Sequence, residues 1–278
     1  MLALPVLAGV LAPLLAAWEA QDPATFHTEL LAPDGGAPLG ALGGVSADHW
    51  LGVAPVTGID LFAQIVYGIR TSLFVALATT ILATLLAAVI GAAMGLIGGW
   101  FAAVMGRLID LFYSFPGLLT MIAVMIIVPD SFPRPLLMVL VLAFFGWPGN
   151  ARVIAAETRA IAAQEFVDAA RSTGAGVGQL LRREIGPNIA GLLTTMAVMS
   201  IPGYVSAVAG LSFLGVGMPE DVPDLGRLLA DSLSWIYSGA DVWYMIFPGA
   251  TIMLIVLGAT LIGDALGEAL ETRRSSAA

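Results

Sequence analysis

Groups able to do polar chemistry are scarce in this chain and concentrated in one place. The stretch EFVDAARSTGAGVGQLLRREIGPN, residues 165–188, holds six of the chain's 31 charged side chains, between segments that are almost entirely apolar. Its carboxylates are Glu165, Asp168 and Glu184, and its cations are Arg171, Arg182 and Arg183. No histidine or cysteine accompanies them, and the carboxylates suit ion pairing with a partner at a surface. Elsewhere the absence of cysteine excludes disulfides and thiolate nucleophiles. The two histidines, His27 and His49, share a polar segment but lack the close spacing usual in metal sites. All eleven basic residues are arginine, and the net charge of −9 argues against a nucleic-acid partner.

The elements that carry this insert must lie in a membrane. The chain is 59% hydrophobic and 11% charged, with a mean hydropathy of +0.93. A soluble domain carries roughly twice that charged fraction. Apolar segments of about 20 residues, enough to cross a bilayer, are expected at 1–18, from Arg70 to Gly98-Gly99, and at 111–128, 135–151, 189–216 and 243–263. The count is six. Residues 1–18 have neither a basic leading region nor a clear cleavage signal, which favours a retained helix over a signal peptide. Residues 19–69, rich in Pro and Gly, read as an extracytoplasmic loop, and 70–278 as the core with a cytoplasmic tail. Placing the insert in the cytoplasm leaves only Arg70, Arg134 and Arg227 outside, and the other eight arginines inside. That distribution follows the positive-inside rule, with both termini cytoplasmic.

Four spans contain a bulky residue followed by Pro-Gly, at Pro116, Pro148, Pro202 and Pro248. Proline removes a backbone hydrogen bond and bends a helix, and glycine admits a close neighbour, so these are candidate kinks. No span carries a charge near its middle, where ion-coupled carriers usually need one. Energy for any transport must then come from another source. Ser200, Tyr204 and Ser206, around the Ile201-Pro202 step, are candidates to line a pathway.

Within the polar stretch 152–188, residues Ala155 to Thr173 favour one helix without Pro or Gly. On a 3.6-residue period Ile161, Glu165, Asp168 and Ser172 share a face, with Phe166 and Ala170 opposite. Gly174 stands where a left-handed glycine would stop that helix. Ala175 to Gly178 reads as a turn, followed by a short helix with a stripe of Val177, Leu180, Leu181 and Ile185, ended by Gly186-Pro187. The result is a helix–turn–helix with an acidic face, which suits a protein partner better than anionic lipid.

This insert resembles the EAA loop of ATP-binding-cassette importer permeases. Asp168-Ala169-Ala170 stands at the E-A-A position, followed by Gly174, Ile185 and Pro187. Further stretches resemble the dipeptide/oligopeptide/nickel subfamily of those permeases, and its C-type subunit best. They are Gly68-Ile69-Arg70-Thr71-Ser72-Leu73, Asp110 to Gly117, Gly146-Trp147 to Arg152, Leu211 to Gly215, and Phe247-Pro248-Gly249. Departures lie within His49-Trp50-Leu51-Gly52-Val53-Ala54 and Gly58-Ile59-Asp60, and at Leu225, where the subfamily usually has tryptophan.

The resemblance implies an all-α transmembrane fold with six helices, of the type I ABC importer class, with cytoplasmic coupling helices between the fourth and fifth spans. It implies a non-catalytic subunit forming half of a pathway for di- or oligopeptides or a related solute. The other half would come from a homologous sister permease subunit. Two ABC ATPase subunits would dock on the cytoplasmic side, and a substrate-binding protein would deliver cargo outside. The implied coupling residues are Glu165, Asp168, Ala169, Ala170, Arg171, Gly174 and Ala175, with either Glu165 or Asp168 making the main ATPase contact. No phosphate-cradling G-x-x-x-x-G-K-[ST] motif occurs, so no cofactor is expected in this chain, and ATP and Mg would be held by the partner ATPases.

Overall fold

The computed structural model describes residues 11–33, 36–237 and 242–275. Among them the regular structure is helical, with β-pairing limited to isolated bridges at Leu31–Pro38 and Val53–Asp60. The helices are α1 (Ala12–Glu19), α2 (Leu61–Ile97), α3 (Gly99–Ser114), α4 (Gly117–Ile127), α5 (Arg134–Ala162), α6 (Glu165–Ser172), α7 (Val177–Phe213), α8 (Leu225–Tyr237) and α9 (Trp243–Ser275).

Helices α2, α5, α7 and α9 are each long and apolar enough to cross a membrane. Helices α3 and α4, bent by 83° at a short break, supply a fifth crossing if counted together. The span expected at 111–128 is therefore not one helix. Phe115 adopts extended backbone (φ −89°, ψ 143°), and Pro116 has no N–H to continue the ladder. Of the first expected span, residues 1–10 lie outside the described residues; the rest ends in α1, closed by a left-handed Ala20.

Helix α2 starts earlier than the expected loop boundary at residue 69. Asp60 explains this: its Oδ1 accepts the Ala63 N–H at 2.7 Å, an N-cap for the helix. The 37 residues that follow are about 55 Å long at 1.5 Å per residue, well beyond the bilayer core. Gly98 and Gly99 close the helix with positive φ angles of 64° and 51°.

The chain divides into two compact units. One comprises residues 1–77, 128–138 and 202–260, and the other 78–127, 139–201 and 261–278. In the second unit a buried core gathers Ile109, Trp147, Ala151, Ile154 and Ala155 with Val167, Leu180 and Ile185. Gly91 and Gly95 of α2 let α5 approach closely. A Cβ on either would stand 2.6 Å from a carbonyl oxygen, of Ala151 or Ala155 respectively. In the first unit Gly68 does the same for the fully buried Leu225.

Candidate functional site

The charged insert is built on extensions of two long helices. Helix α5 runs past Arg152 to Ala162, so the single helix expected over 155–173 is divided. Gln164 turns to extended backbone (φ −82°, ψ 149°) and starts α6, with Glu165 and Asp168 in its first turn. Carboxylates there are favoured by the positive end of the helix dipole.

Helix α6 ends in a Schellman motif. The Gly174 N–H reaches the Arg171 carbonyl at 2.9 Å, and the Ala175 N–H reaches that of Ala170 at 3.1 Å. Gly174 has φ +88°, a conformation that L side chains rarely adopt. A Cβ on Gly174, Gly176 or Gly178 would meet nothing within 4 Å, so the tip is open on three glycines.

Gly186-Pro187 does not end the second helix as expected. The chain widens into a π turn over Leu180–Ile185, where the Gly186 N–H bonds back to the Leu181 carbonyl, and α7 continues. A π turn just before the proline accommodates a ring that a regular α-turn would crowd.

Burial separates the anchor from the presented face. Val167, Leu180 and Ile185 are buried in the core and Ala170 packs against it, while Glu165, Asp168, Ala169 and Arg171 are exposed. Phe166 and Val177 are also exposed, at 43% and 49%. The expected acidic face is thus incomplete: Ile161 belongs to α5 and packs against the core, and Phe166 turns outward.

The two candidate carboxylates differ. Asp168 Oδ1 accepts from Arg171 Nη1 at 3.1 Å, and the same nitrogen lies 3.4 Å from the Ala162 carbonyl. Arg171 therefore bridges α6 back to the end of α5. Glu165 has no hydrogen bond or ion pair with any described residue.

Stretches distant in sequence meet behind this insert, within the same unit. Arg152 pairs with Asp110, reaches the Gly106 carbonyl at 3.4 Å, and stands 5.8 Å from the Tyr113 ring centroid. Phe112 packs on Phe144, Phe145 and Trp147 with centroids 4.9, 5.9 and 5.6 Å away. The Tyr113 hydroxyl oxygen lies against Gly149, 2.7 Å from where a Cβ there would stand. These contacts join α3 to α5. Nothing in the spacing of the two stretches announced this pairing across 42 residues.

The other unit holds two further polar knots. Ser212 donates to Asp224 at 2.9 Å, and Asp224 Oδ1 caps α8 through the Gly226 and Arg227 N–H groups at 2.7 and 3.0 Å. Burial holds the Asp224 carboxyl above its ordinary value, against the opposing pull of Arg227, Ser212 and Gly226. In the second knot, His49 Nδ1 hydrogen-bonds Asp60 at 2.9 Å, and Glu19 accepts the Trp50 N–H at 2.6 Å. The second knot includes Trp50, a position where the sequence departs from the subfamily pattern.

Of the candidate pathway residues, Ser200 and Ser206 each donate to a carbonyl one turn back, Met196 at 2.7 Å and Pro202 at 2.9 Å. Tyr204 is half-buried. Pro148, Pro202 and Pro248 all lie inside continuous helices.

Comparison with known proteins fits this architecture. The dipeptide transport system permease protein DppC of Alkalihalophilus pseudofirmus is 32% identical over 239 residues, covering 86% of this chain and 77% of that protein. The oligopeptide transport system permease protein OppC of Mycobacterium bovis is 32% identical over 224 residues, covering 80% of this chain and 75% of its own. The dipeptide permease DppC of Bacillus subtilis is 31% identical over 228 residues, covering 82% and 70%. The profile of a family described as binding-protein-dependent transport system inner membrane component matches residues 87–276, from within α2 to the end of α9. With the end of α2, the other apolar spans, the α3–α5 junction and the whole charged insert inside that match, the chain is a multi-pass membrane protein and belongs to this family of transport-system inner membrane components.

Proposed function

We propose that this chain is the permease subunit of an ATP-driven importer, coupled to its ATPases through residues 152–188. The observation that carries the reading is the division of the insert. Val167, Leu180 and Ile185 root it in the core, while Glu165, Asp168, Ala169, Gly174 and the glycine tip are exposed. A rooted lever with an open tip can pass a displacement to the spans, as rigid-body rocking requires. A tip of small residues admits a close-fitting groove. ATP and Mg belong to the partner ATPases in this scheme, and the permease holds no cofactor and catalyses no reaction.

The arrangement proposed is six spans with both termini cytoplasmic and the 19–69 loop outside, facing a substrate-binding protein. A sister permease completes the pathway, to which Ser200, Tyr204 and Ser206 contribute polar groups, with Pro116, Pro148, Pro202 and Pro248 as points of bending. Di- and oligopeptides are the cargo class, on the strength of relatives named for dipeptide and oligopeptide transport.

The test is Gly174→Glu in the complex co-purified with this chain and reconstituted in proteoliposomes. The variant inserts in the membrane but loses ATP hydrolysis stimulated by the binding protein, together with uptake. Normal stimulation with normal uptake overturns the reading. Failure of any Walker-motif protein to co-purify with the wild-type chain overturns it as well.

A further inference from the structure

The pairing of Asp110 with Arg152 sits at an instructive place. It lies one turn before the break at Phe115–Gly117 and in direct continuity with the core that roots the insert. On the α3 side of the break the packing is dense. Ile109 is fully buried beside Ala151 and Ile154, Phe112 is surrounded by three aromatic rings of α5, and Tyr113 lies against Gly149. Beyond the break it is uneven, with Met125 fully buried but other large side chains open. In α4, Leu118, Leu119, Ile126 and Ile127 are all more than half exposed.

The backbone at the junction suits a hinge. Ser114 closes α3 by donating to the Asp110 carbonyl at 2.9 Å, and α4 begins afresh with the Thr120 N–H on the Pro116 carbonyl at 3.1 Å. No ladder hydrogen bond needs to break for Phe115 to change its φ and ψ, and hinges are short stretches that absorb such changes.

We propose that the Asp110–Arg152 pair fastens α3 to α5 as one rigid arm sharing a core with the insert, so that Phe115–Gly117 is the hinge at which the broken span bends during transport. Arg152 is a positioning residue here. Its guanidinium holds the Asp110 carboxylate, the Gly106 carbonyl and the face of Tyr113 at once, which fixes both the distance and the rotation of α3 against α5. Val167, Leu180 and Ile185 of the insert lie in the same core as Ile109 of α3 and Ala151 and Ile154 of α5, so a push on the insert moves both helices together. The inference rests on the coupling reading above and adds which elements move as one and where they bend.

The chain has no cysteine, which makes site-directed spin labelling direct. One label pair, Val104→Cys with Val153→Cys, reports α3 against α5; a second, Val104→Cys with Ile127→Cys, reports across the break. In the reconstituted complex the first distance stays the same between the nucleotide-free and ATP-bound states, and the second changes. Asp110→Asn and Arg152→Gln each lower uptake per ATP hydrolysed by about fivefold or more, the scale of a typical coupling between sites. The reversed pair, Asp110→Arg with Arg152→Asp, restores most of it.

A first distance that changes as much as the second overturns the rigid arm, as does a reversed pair no better than the single variants. Gly174→Glu, run in parallel, separates the two claims. If it uncouples hydrolysis while the pair variants do not, only the hinge falls; if it has no effect, the coupling reading falls first.

Discussion

Ser212 Oγ donates to Asp224 Oδ2 across 2.9 Å, and both side chains are buried. The same carboxylate caps α8 with its other oxygen, so one residue both starts a helix and ties it to the end of α7. Gly226 seals the junction, since a Cβ there would stand 2.8 Å from Ser212 Cβ.

Asp224→Ala therefore removes two capping bonds and strands a buried hydroxyl. A lost cap costs about 1 kcal/mol and an unsatisfied buried group about 1–3 kcal/mol, so a loss of about 2–4 kcal/mol is expected. Asp224→Asn keeps an acceptor and should lose less. Thermal unfolding in detergent, followed for both variants, checks the order. Equal loss in the two would remove the cap from the argument.

Glu165 and Asp168 make opposite predictions in the assembled transporter. Asp168 is engaged by Arg171 within the chain, and Glu165 is not engaged. Glu165→Gln should lower stimulated ATP hydrolysis by about tenfold or more, because losing a hydrogen-bonded charge at an interface costs about 2 kcal/mol or above. Asp168→Asn should act mainly on the local fold, by releasing Arg171 from the turn. The reverse order of severity would assign the ATPase contact to Asp168.

Much of this site was legible because its signals are local. Gly174 at a helix end and Gly98-Gly99 after a long apolar run each carry their meaning within a few residues. The break at Gln164 had no such mark, since neither Pro nor Gly stands there. It depends on Val167 finding the core and on Arg171 reaching back to Ala162, which are tertiary events. Pro187 misled for the opposite reason. A proline reads as a stop, but the π turn over Leu180–Ile185, just before it, takes up its ring.

Helix α8 escaped notice because Asp224, Arg227 and Asp231 give its sequence the look of a loop. Its buried positions, Leu225, Leu228 and Ser232, follow helical spacing but are few. What makes it a helix is outside its own sequence, in the Asp224 cap to Ser212 and the space left by Gly68. The Asp110–Arg152 pairing is likewise invisible locally, although both residues sit in recognisable stretches.

Glycines that admit a neighbour and glycines that do not should respond in opposite ways. At Gly95 a Cβ would stand 2.6 Å from the Ala155 carbonyl and 2.8 Å from Thr158 Cγ2. Gly95→Ala should cost about 1–3 kcal/mol, the usual penalty for overpacking a closed contact. At Gly106, inside α3, a Cβ would meet nothing within 4 Å. Gly106→Ala should stabilise by up to about 1 kcal/mol through helix propensity alone. Unfolding of both in the same detergent gives the comparison, and loss of stability at Gly106 would mean that α3 is held differently from the contacts described.

The Glu19 knot yields a pH dependence with a definite sign. Burial pushes the Glu19 carboxyl from 4.5 up to about 7, with the Trp50 N–H opposing and the neighbouring Asp60 carboxylate adding to the rise. The folded chain then holds a proton on Glu19 across a window from about 4.5 to about 7 in which the unfolded chain has lost it. Stability from this group is fully present below the unfolded value and disappears as pH rises through the folded one. His49, which bonds Asp60, and His27, whose ring lies 5.0 Å from that of His49, face the same knot, and Glu29 hydrogen-bonds His27. Glu19→Gln keeps a carbonyl for the Trp50 N–H and removes the titration while leaving those neighbours in place. The wild-type chain should therefore lose thermal stability, relative to the variant, as pH is raised from about 5 to about 8. Parallel slopes for the two proteins would show that Glu19 is not the titrating group.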